Sequence, residues 1–323
     1  MSDKLEIAIA GATGFVGIEL IKKLYDHPNV NLKYLFVKES IDEDIYKSLP
    51  SDITDLPKLK KLDIDLIKKC DVFFSALPHA ELHKIAKEII SNTVIIDLSA
   101  DFRLPDISVY EKWYKIKHES PELQSQSTYG LSEIFRDKIV KSNLISCPGC
   151  YPTSVLLPLI PLIQNKIIDC SNIIIDSKSG YSGAGKKIYN NKDYPNLDEN
   201  IAIYGVGNHR HMPEINHYLS LYSNEAIEVS FTPHLIPTFR GMLSTIYVKS
   251  ETSLDEIYKT LKNKYENEQF VDVFKSKMIN TNEVINTNKA LISIFESNVK
   301  GSYIICCSID NLLKGAAGQL LKK

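Results

Sequence analysis

The chain has 323 residues, roughly twice the usual single-domain length, so two domains are expected. Its 44% hydrophobic and 24% charged residues suit a globular protein with real cores. A formal net charge of -2 argues against coating nucleic acid or an anionic membrane, no apolar run reaches the roughly 18 residues of a membrane span, and the start at Ser2-Asp3-Lys4 does not read as a signal peptide.

Leu5 to Ala10 reads as a short apolar strand, and Ile18 to Tyr25 as a helix with Ile18, Ile21, Leu24 and Tyr25 in periodic positions. Leu32 to Val37, Val72 to Ala76 and Val94 to Leu98 read as further strands. Between the last two, Leu82, Ile85, Ala86 and Ile89 form one face of a helix. Strands alternating with helices predict an α/β fold with a doubly wound parallel sheet. After about residue 150 the pattern changes. Val155 to Ile163 is helix-like but cut by Pro158 and Pro161. Ile173 to Ile175, Ile227 to Phe231, Leu243 to Val248, Leu291 to Phe295 and Tyr303 to Ile309 read as strands, separated by long polar connections. One clear helix starts at Ser253, where Ser253 and Glu256 have capping-box spacing. Leu312 to Leu321 reads as a final helix. This is α+β grammar, and it predicts a second domain on a largely antiparallel or mixed sheet.

Gly11-Ala-Thr-Gly14-Phe-Val-Gly17 follows the first strand and opens the first helix. Glycines there permit a tight turn and close approach of backbone amides to a phosphate, and the helix end adds positive charge. The motif points to a dinucleotide, against the alternative of a tight structural turn. After the second strand, Lys38-Glu39-Ser40 offers both an acid for a ribose hydroxyl and a cation for a 2′-phosphate, so it does not decide between NAD and NADP.

Six cysteines lie at 70, 147, 150, 170, 306 and 307. They do not form a disulfide framework in a chain this long, which points to the cytoplasm. Cys70, Cys170, Cys306 and Cys307 read as small hydrophobes. Cys147-Pro-Gly-Cys150-Tyr-Pro-Thr153 admits a structural thiol pair, a CxxC redox or metal site, or a single nucleophile at Cys150. Zinc wants four ligands and no second CxxC is present, so no metal is expected. Pro152 marks a helix start, and a cysteine at a helix N-terminus is activated by the local amides.

His209-Arg210-His211-Met-Pro213-Glu214 offers a proton partner, with Pro213 again suggesting a helix start whose positive end keeps an imidazole neutral. Arg103 and Arg240 are candidate clamps for an anionic substrate, against the alternative of structural ion pairs. Ser179-Gly-Tyr-Ser-Gly-Ala-Gly185 is a flexible loop with amides and hydroxyls to offer an anion, or a turn.

The ordered set is more specific than any member. Gly11 to Gly17, Ala100 to Leu104, Tyr110 to Tyr114, Tyr129 to Leu131, Cys147 to Thr153, Ser179 to Gly185, His209 to Ile215, Phe231 to Gly241 and Asp310 to Gln319 run in sequence. Together they resemble N-acetyl-gamma-glutamyl-phosphate reductases, the arginine-pathway relatives of aspartate-semialdehyde dehydrogenase, over essentially the whole chain. The resemblance implies a Rossmann-type domain at 1–148 with 311–323, and an α+β catalytic and dimerisation domain at 149–310. It implies NADPH, a small acyl-phosphate substrate, and a homodimer or homotetramer. It further implies Cys150 as nucleophile and His211, with His209 as runner-up, as acid and base. The cofactor would meet Gly11, Thr13, Gly14, Phe15, Val16, Lys38, Ser75, Pro78, Ser182, Gly183, Asn311 and Gly315. The substrate would meet Arg103, Ser179, Tyr181 and Arg240. The chain departs from the family at Cys147 (usually asparagine), Ser154 (alanine or glycine) and Ser132 (proline), and lacks the frequent serine-arginine pair after Val37. Other readings are a reductase of a carrier-bound aminoadipyl phosphate, a non-catalytic dinucleotide sensor, or a dithiol cycling between Cys147 and Cys150.

Overall fold

The computed structural model describes residues 4–39, 41–42, 44–186 and 199–321; Ser2, Asp3 and Ser40 lie outside them. The chain divides into two compact units, residues 1–148 with 316–323, and residues 149–315. Residues 311–315, Asn311 and Gly315 among them, belong to the second unit.

The first unit is a seven-stranded, wholly parallel sheet: β1 (Leu5–Ala10), β2 (Val30–Val37), β3 (Leu59–Lys61), β4 (Val72–Ser75), β5 (Val94–Asp97), β6 (Ser127–Tyr129) and β7 (Leu144–Ser146). The spatial order is β3-β2-β1-β4-β5-β7-β6, so the direction of winding reverses between β1 and β4. In open parallel sheets the ligand crevice lies at the carboxyl ends of the strands flanking that reversal. One face is sealed by Ala8, Ala10, Phe36, Phe73, Ile95 and Leu144 with Ile67, Leu82, Ala86, Ile89 and Phe102. Helix α1 (Phe15–Leu24) leads from the first strand to the second, burying Ile18, Leu20, Ile21 and Leu24. The expected helix through Leu82–Ile89 is broken into a 3-10 turn, Leu82–Lys84, and a short α turn, Ala86–Ile89. One cavity of this unit, about 600 Å³, is lined by Leu5, Val30, Val72 and Val94 at the amino ends of the strands, and no candidate residue lines it.

The second unit carries a mixed seven-stranded sheet, with strands β8 (Asp169–Gly180), β9 (Ala202–Ile203), β10 (Ser230–Ile236), β11 (Met242–Lys249), β12 (Val271–Lys275), β13 (Ala290–Glu296) and β14 (Ser302–Ile309). Their order is β12-β13-β14-β11-β8-β10-β9. Here the strand expected at Ile227 to Phe231 runs later, and Pro233 sits inside it, in the register of β8.

Among the described residues this unit carries helices α2 (Cys150–Gln164), α3 (Met212–Ser220) and α4 (Leu254–Tyr265). Helix α2 packs on β11 and β14 and against α4. It runs unbroken through Pro158 and Pro161, which corrects the expected cut. A proline removes the bond to the carbonyl four residues back. For Pro161 that carbonyl is Leu157 O, and the Tyr265 hydroxyl donates to it at 2.5 Å. Ser253 caps α4 by accepting from Glu256 N at 3.3 Å, one half of the expected capping box. The expected last helix is a π turn, Leu313–Ala317, followed by one α turn, Gly318–Leu320.

Candidate functional site

The candidate residues form two groups, one in each unit. In the first, β1 ends at Ala10 and the chain turns through Gly11 at φ +74°, a left-handed conformation that costs glycine little. A Cβ on Gly11 would stand 2.3 Å from Ala76 O, and one on Gly17 would stand 2.2 Å from Gly11 O. Gly11 therefore lets the turn pass against the end of β4, and Gly17 lets α1 close on the turn. The amides of Gly11 and Ala12 donate to Phe36 O at 3.0 and 3.1 Å. Helix α1 then opens at Phe15 and Val16, after Thr13 and Gly14, with no side-chain cap and no acid in its first turn. An uncapped helix end of this kind fits a pyrophosphate.

Ser75 pairs with Ala10 across β1 and β4; it is fully buried, and its hydroxyl has no partner among the described residues. A polar atom stranded there fits a ligand contact better than a core. Pro78, beyond it, is exposed. Just after β2, Lys38 meets Glu81 at 3.5 Å, and Lys84 meets the same carboxylate at 3.1 Å. These pairs are exposed and weak, so an anionic ligand could replace either one.

Arg103 is 5% exposed, with Nε donating to Cys147 O at 2.7 Å and Nη2 donating to Leu98 O at 2.9 Å. Cys147 N donates to Asp97 O at 2.8 Å. Two bonds of Arg103 thus support backbone, one of them just ahead of Cys150. Burial first, then the charge of Asp101, raises the Asp97 pKa above the carboxylate range. Asp101 accepts from the amides of Ala80, Leu82 and His83 and from the Tyr110 hydroxyl. Cys147 is 2% exposed and packs on Gly130; burial first, then Asp97, pushes its thiol well above the usual range. It is held as a thiol, a poor environment for redox cycling. Cys70 and Cys307 are buried, as expected, while Cys170 and Cys306 are half-buried.

In the second unit Cys150 is the first residue of α2, after Gly149 at the N-cap, with no side-chain cap and no acid in the first turn. The helix carries no acid of its own in that turn, and a helix N-terminus favours the thiolate. Gly149 brings Cys150 and His211 together: a Cβ on Gly149 would stand 2.3 Å from His211 Nε2. His211 is itself the N-cap of α3. His209 packs edge-on against His211, with ring centroids 4.9 Å apart, and against Tyr151, Tyr204 and Phe231. Its Nδ1 accepts from His211 N at 3.1 Å, so its proton sits on Nε2. Burial first, then the Arg210 charge, pulls its pKa from 6.5 to about 4. The two histidines therefore differ: His209 is a fixed neutral support, and His211 is the one set over the N-cap of the nucleophile's helix.

The loop after β8, expected to be flexible, is tightly held. The amides of Gly180, Tyr181 and Ser182 donate to Gly241, Thr238 and Phe239 carbonyls at 2.9, 3.0 and 2.9 Å. Asn311 bridges both sides, its Nδ2 donating to Ser182 Oγ at 2.9 Å and its Oδ1 accepting from Gly241 N at 2.8 Å. Gly183 lies against Ser179 Oγ and Asn311, where a Cβ would stand 3.0 Å from that hydroxyl. Tyr181 stacks edge-on against Phe239. Arg240 faces Asp310: Nε lies 2.9 Å from Oδ2 and Nη2 donates to Oδ1 at 3.1 Å, with the carboxylate wholly buried. Asp310 Oδ1 also accepts from the amides of Leu312 and Leu313, fixing the turn that carries Gly315. Gly315 abuts the nucleophile, since a Cβ there would stand 2.7 Å from Cys150 Cβ.

Sequence reasoning assigned no role to Gly149, Glu214, Asp310 or Tyr151. Glu214 is 1% exposed and accepts from Gly149 N at 2.9 Å through Oε1. Tyr151 is buried, with its hydroxyl 2.9 Å from that of Tyr204. Glu214 and Asp310 stood inside quoted motifs, so burial of an acid beside a histidine or a turn was the available signal. Among the described residues no group of three or more histidine, cysteine or acidic side chains is arranged to hold a metal, and no helix is long and apolar enough to cross a membrane.

Comparison with known proteins bears on both units. Residues 6–142 match the semialdehyde dehydrogenase NAD binding domain, and residues 150–311 match the semialdehyde dehydrogenase dimerisation domain. An N-acetyl-gamma-glutamyl-phosphate reductase of Ehrlichia ruminantium is 41% identical, with 100% of this chain and 94% of that protein aligned. A probable chloroplastic N-acetyl-gamma-glutamyl-phosphate reductase of Oryza sativa subsp. japonica is 40% identical over 99% of this chain and 78% of its own length. Among solved structures, aspartate semialdehyde dehydrogenase II from Vibrio cholerae superposes with a TM-score of 0.72 at 15% identity, over 99% of this chain and 97% of that one. The aspartate semialdehyde dehydrogenase of Candida albicans, solved with NADP, gives 0.66 at 15% identity, over 99% and 97%. The fold is that of the semialdehyde dehydrogenases, and the chain belongs to the N-acetyl-gamma-glutamyl-phosphate reductase family.

Proposed function

We propose that the chain reduces N-acetyl-gamma-glutamyl phosphate to N-acetylglutamate semialdehyde in arginine biosynthesis, through a thioester on Cys150. The observation that carries this reading is Gly149, which seats the His211 ring directly over the N-cap of the helix that Cys150 opens. The curated relatives that bear the reductase name align over nearly all of the chain.

His211 takes the Cys150 proton, and the thiolate attacks the acyl carbon. The carbon–sulfur bond forms, the bond to the phosphate oxygen breaks, and phosphate leaves with the proton that His211 returns. The Gly11–Gly17 turn would hold NADPH, with Lys38 available to its 2′-phosphate, and the bound cofactor would supply a hydride for the thioester. The carbon–sulfur bond then breaks, the semialdehyde departs, and Cys150 returns as thiolate to take a proton from solvent. The amides that open α2 at Cys150 and Tyr151 steady the carbonyl oxygen, because that of Gly149 is engaged by Glu214. The rigid Ser179–Gly183 turn and Tyr181 receive the substrate's polar groups, while Arg240 holds Asp310.

A dimerisation domain implies self-association. We assign the contact of a homodimer to the open face of the second sheet, where Ile174, Tyr247 and Ile304 are neighbours across β8, β11 and β14 and the first two are 39% and 38% exposed.

Trapping the intermediate tests the chemistry. Protein mixed with the semialdehyde and NADP, with phosphate withheld, should yield one equivalent of NADPH per active site and an acylated Cys150 peptide by mass spectrometry. A full equivalent of NADPH with Cys150 unmodified would rule out the thioester.

A further inference from the structure

Glu214 has a geometry that the reaction as written leaves unused. Its side chain is almost wholly enclosed, and an enclosed carboxylate is costly unless it is engaged. It sits in the first turn of α3, where the helix end offsets part of that cost. Its Oε1 accepts from Gly149 N at 2.9 Å, a residue 65 positions away in sequence. Gly149 is at once the N-cap of α2 and the surface under the His211 ring, with no room for a single added carbon. His211 and Glu214 leave the same helix end, one over Gly149 and the other on its amide.

We propose that Glu214 is a positioning residue for the Cys150–His211 pair: by holding the Gly149 amide from the base of α3, it fixes the distance between the helix that carries the nucleophile and the helix end that carries the acid and base. This rests on the assignment of Cys150 and His211 above. The link is a hydrogen bond to a carbonyl-type oxygen, so an amide can replace the carboxylate at that atom. Removing the oxygen frees Gly149 and lets the two helix ends drift. A displacement near 1 Å at reacting groups costs about 10²-fold in rate.

Two variants and two readouts test it. Glu214→Ala should lower kcat about 100-fold with KM within about threefold, whereas Glu214→Gln should stay within about tenfold of wild type. Alkylation of Cys150 by iodoacetamide in substrate-free protein, followed across pH by peptide mass spectrometry, should be slowed and its midpoint moved in the alanine variant. Both should be restored in the glutamine variant. Equal impairment of the two variants would overturn the proposal. So would an alanine variant whose activity falls only with its folded fraction by circular dichroism, while the folded part alkylates normally. If wild type failed to reduce the acyl phosphate, the alkylation readout would still report on Glu214.

Discussion

Gly315 and Cys150 are so close that the smallest side chain at 315 would press on the nucleophile, its Cβ 2.7 Å from the cysteine Cβ and 3.2 Å from the Cα. The turn carrying Gly315 is fixed by Asp310, whose carbonyl accepts from Gly315 N at 2.9 Å and whose carboxylate accepts from two further amides of the turn. The turn cannot retreat without breaking those bonds, so Cys150 must move instead.

Gly315→Ala should therefore lower kcat at least about tenfold and slow alkylation of Cys150, while the far-ultraviolet dichroism stays native. Wild-type kinetics in that variant would show that the turn yields.

Arg240 and Asp310 make a second prediction. The carboxylate is wholly buried and faces the guanidinium through two nitrogens. Removing the cation leaves a buried charge, which costs about 3–5 kcal/mol. Arg240→Met should lose about that much in urea unfolding, and Arg240→Lys should recover only part because it lacks the fork. Unchanged stability in the methionine variant would contradict a stabilising role for the pair.

Acid should weaken the protein through His209. Its pKa is about 4 folded against 6.5 when free, because burial and Arg210 disfavour the cation. The unfolded chain then binds the extra proton between those values. The contribution is fully present above pH 6.5 and is lost as pH falls toward 4, up to about 3 kcal/mol. His209→Gln should flatten urea stability against pH across that window, and an unchanged slope would contradict it.

Much of this was legible in sequence because it is local. Gly11 to Gly17 is read directly as strand, turn and helix, and both Cys150 and His211 stand beside prolines that mark helix starts. The rest depends on partners far away in the chain. Pro158 and Pro161 read as a cut only because the Tyr265 hydroxyl that serves Leu157 O lies on another helix. Pro233 disguised β10, which takes its register from β8. Nothing near Glu214 announces Gly149, and nothing near Gly315 announces Cys150. Charge alone leaves Arg103 open as an anion clamp or a structural ion pair, and the two backbone carbonyls it serves, of Cys147 and Leu98, are not announced near it in sequence.

The paired cysteines part company on burial. Cys147 is enclosed against Gly130 with its thiol pushed up, while Cys150 is half-buried at an open helix end. Cys147→Ser should keep kcat within about threefold and lose about 1–3 kcal/mol of stability from a poorly matched buried hydroxyl. Loss of turnover in a folded Cys147→Ser protein would restore the dithiol reading.

The most direct measurement follows nicotinamide reduction in the reverse direction, with purified protein, N-acetylglutamate semialdehyde, NADP and inorganic phosphate, wild type beside Cys150→Ser. The account predicts steady turnover that needs phosphate, is slower with NAD, and is absent in the serine variant. Turnover in the Cys150→Ser protein, or none in a wild type that binds NADP, would contradict it.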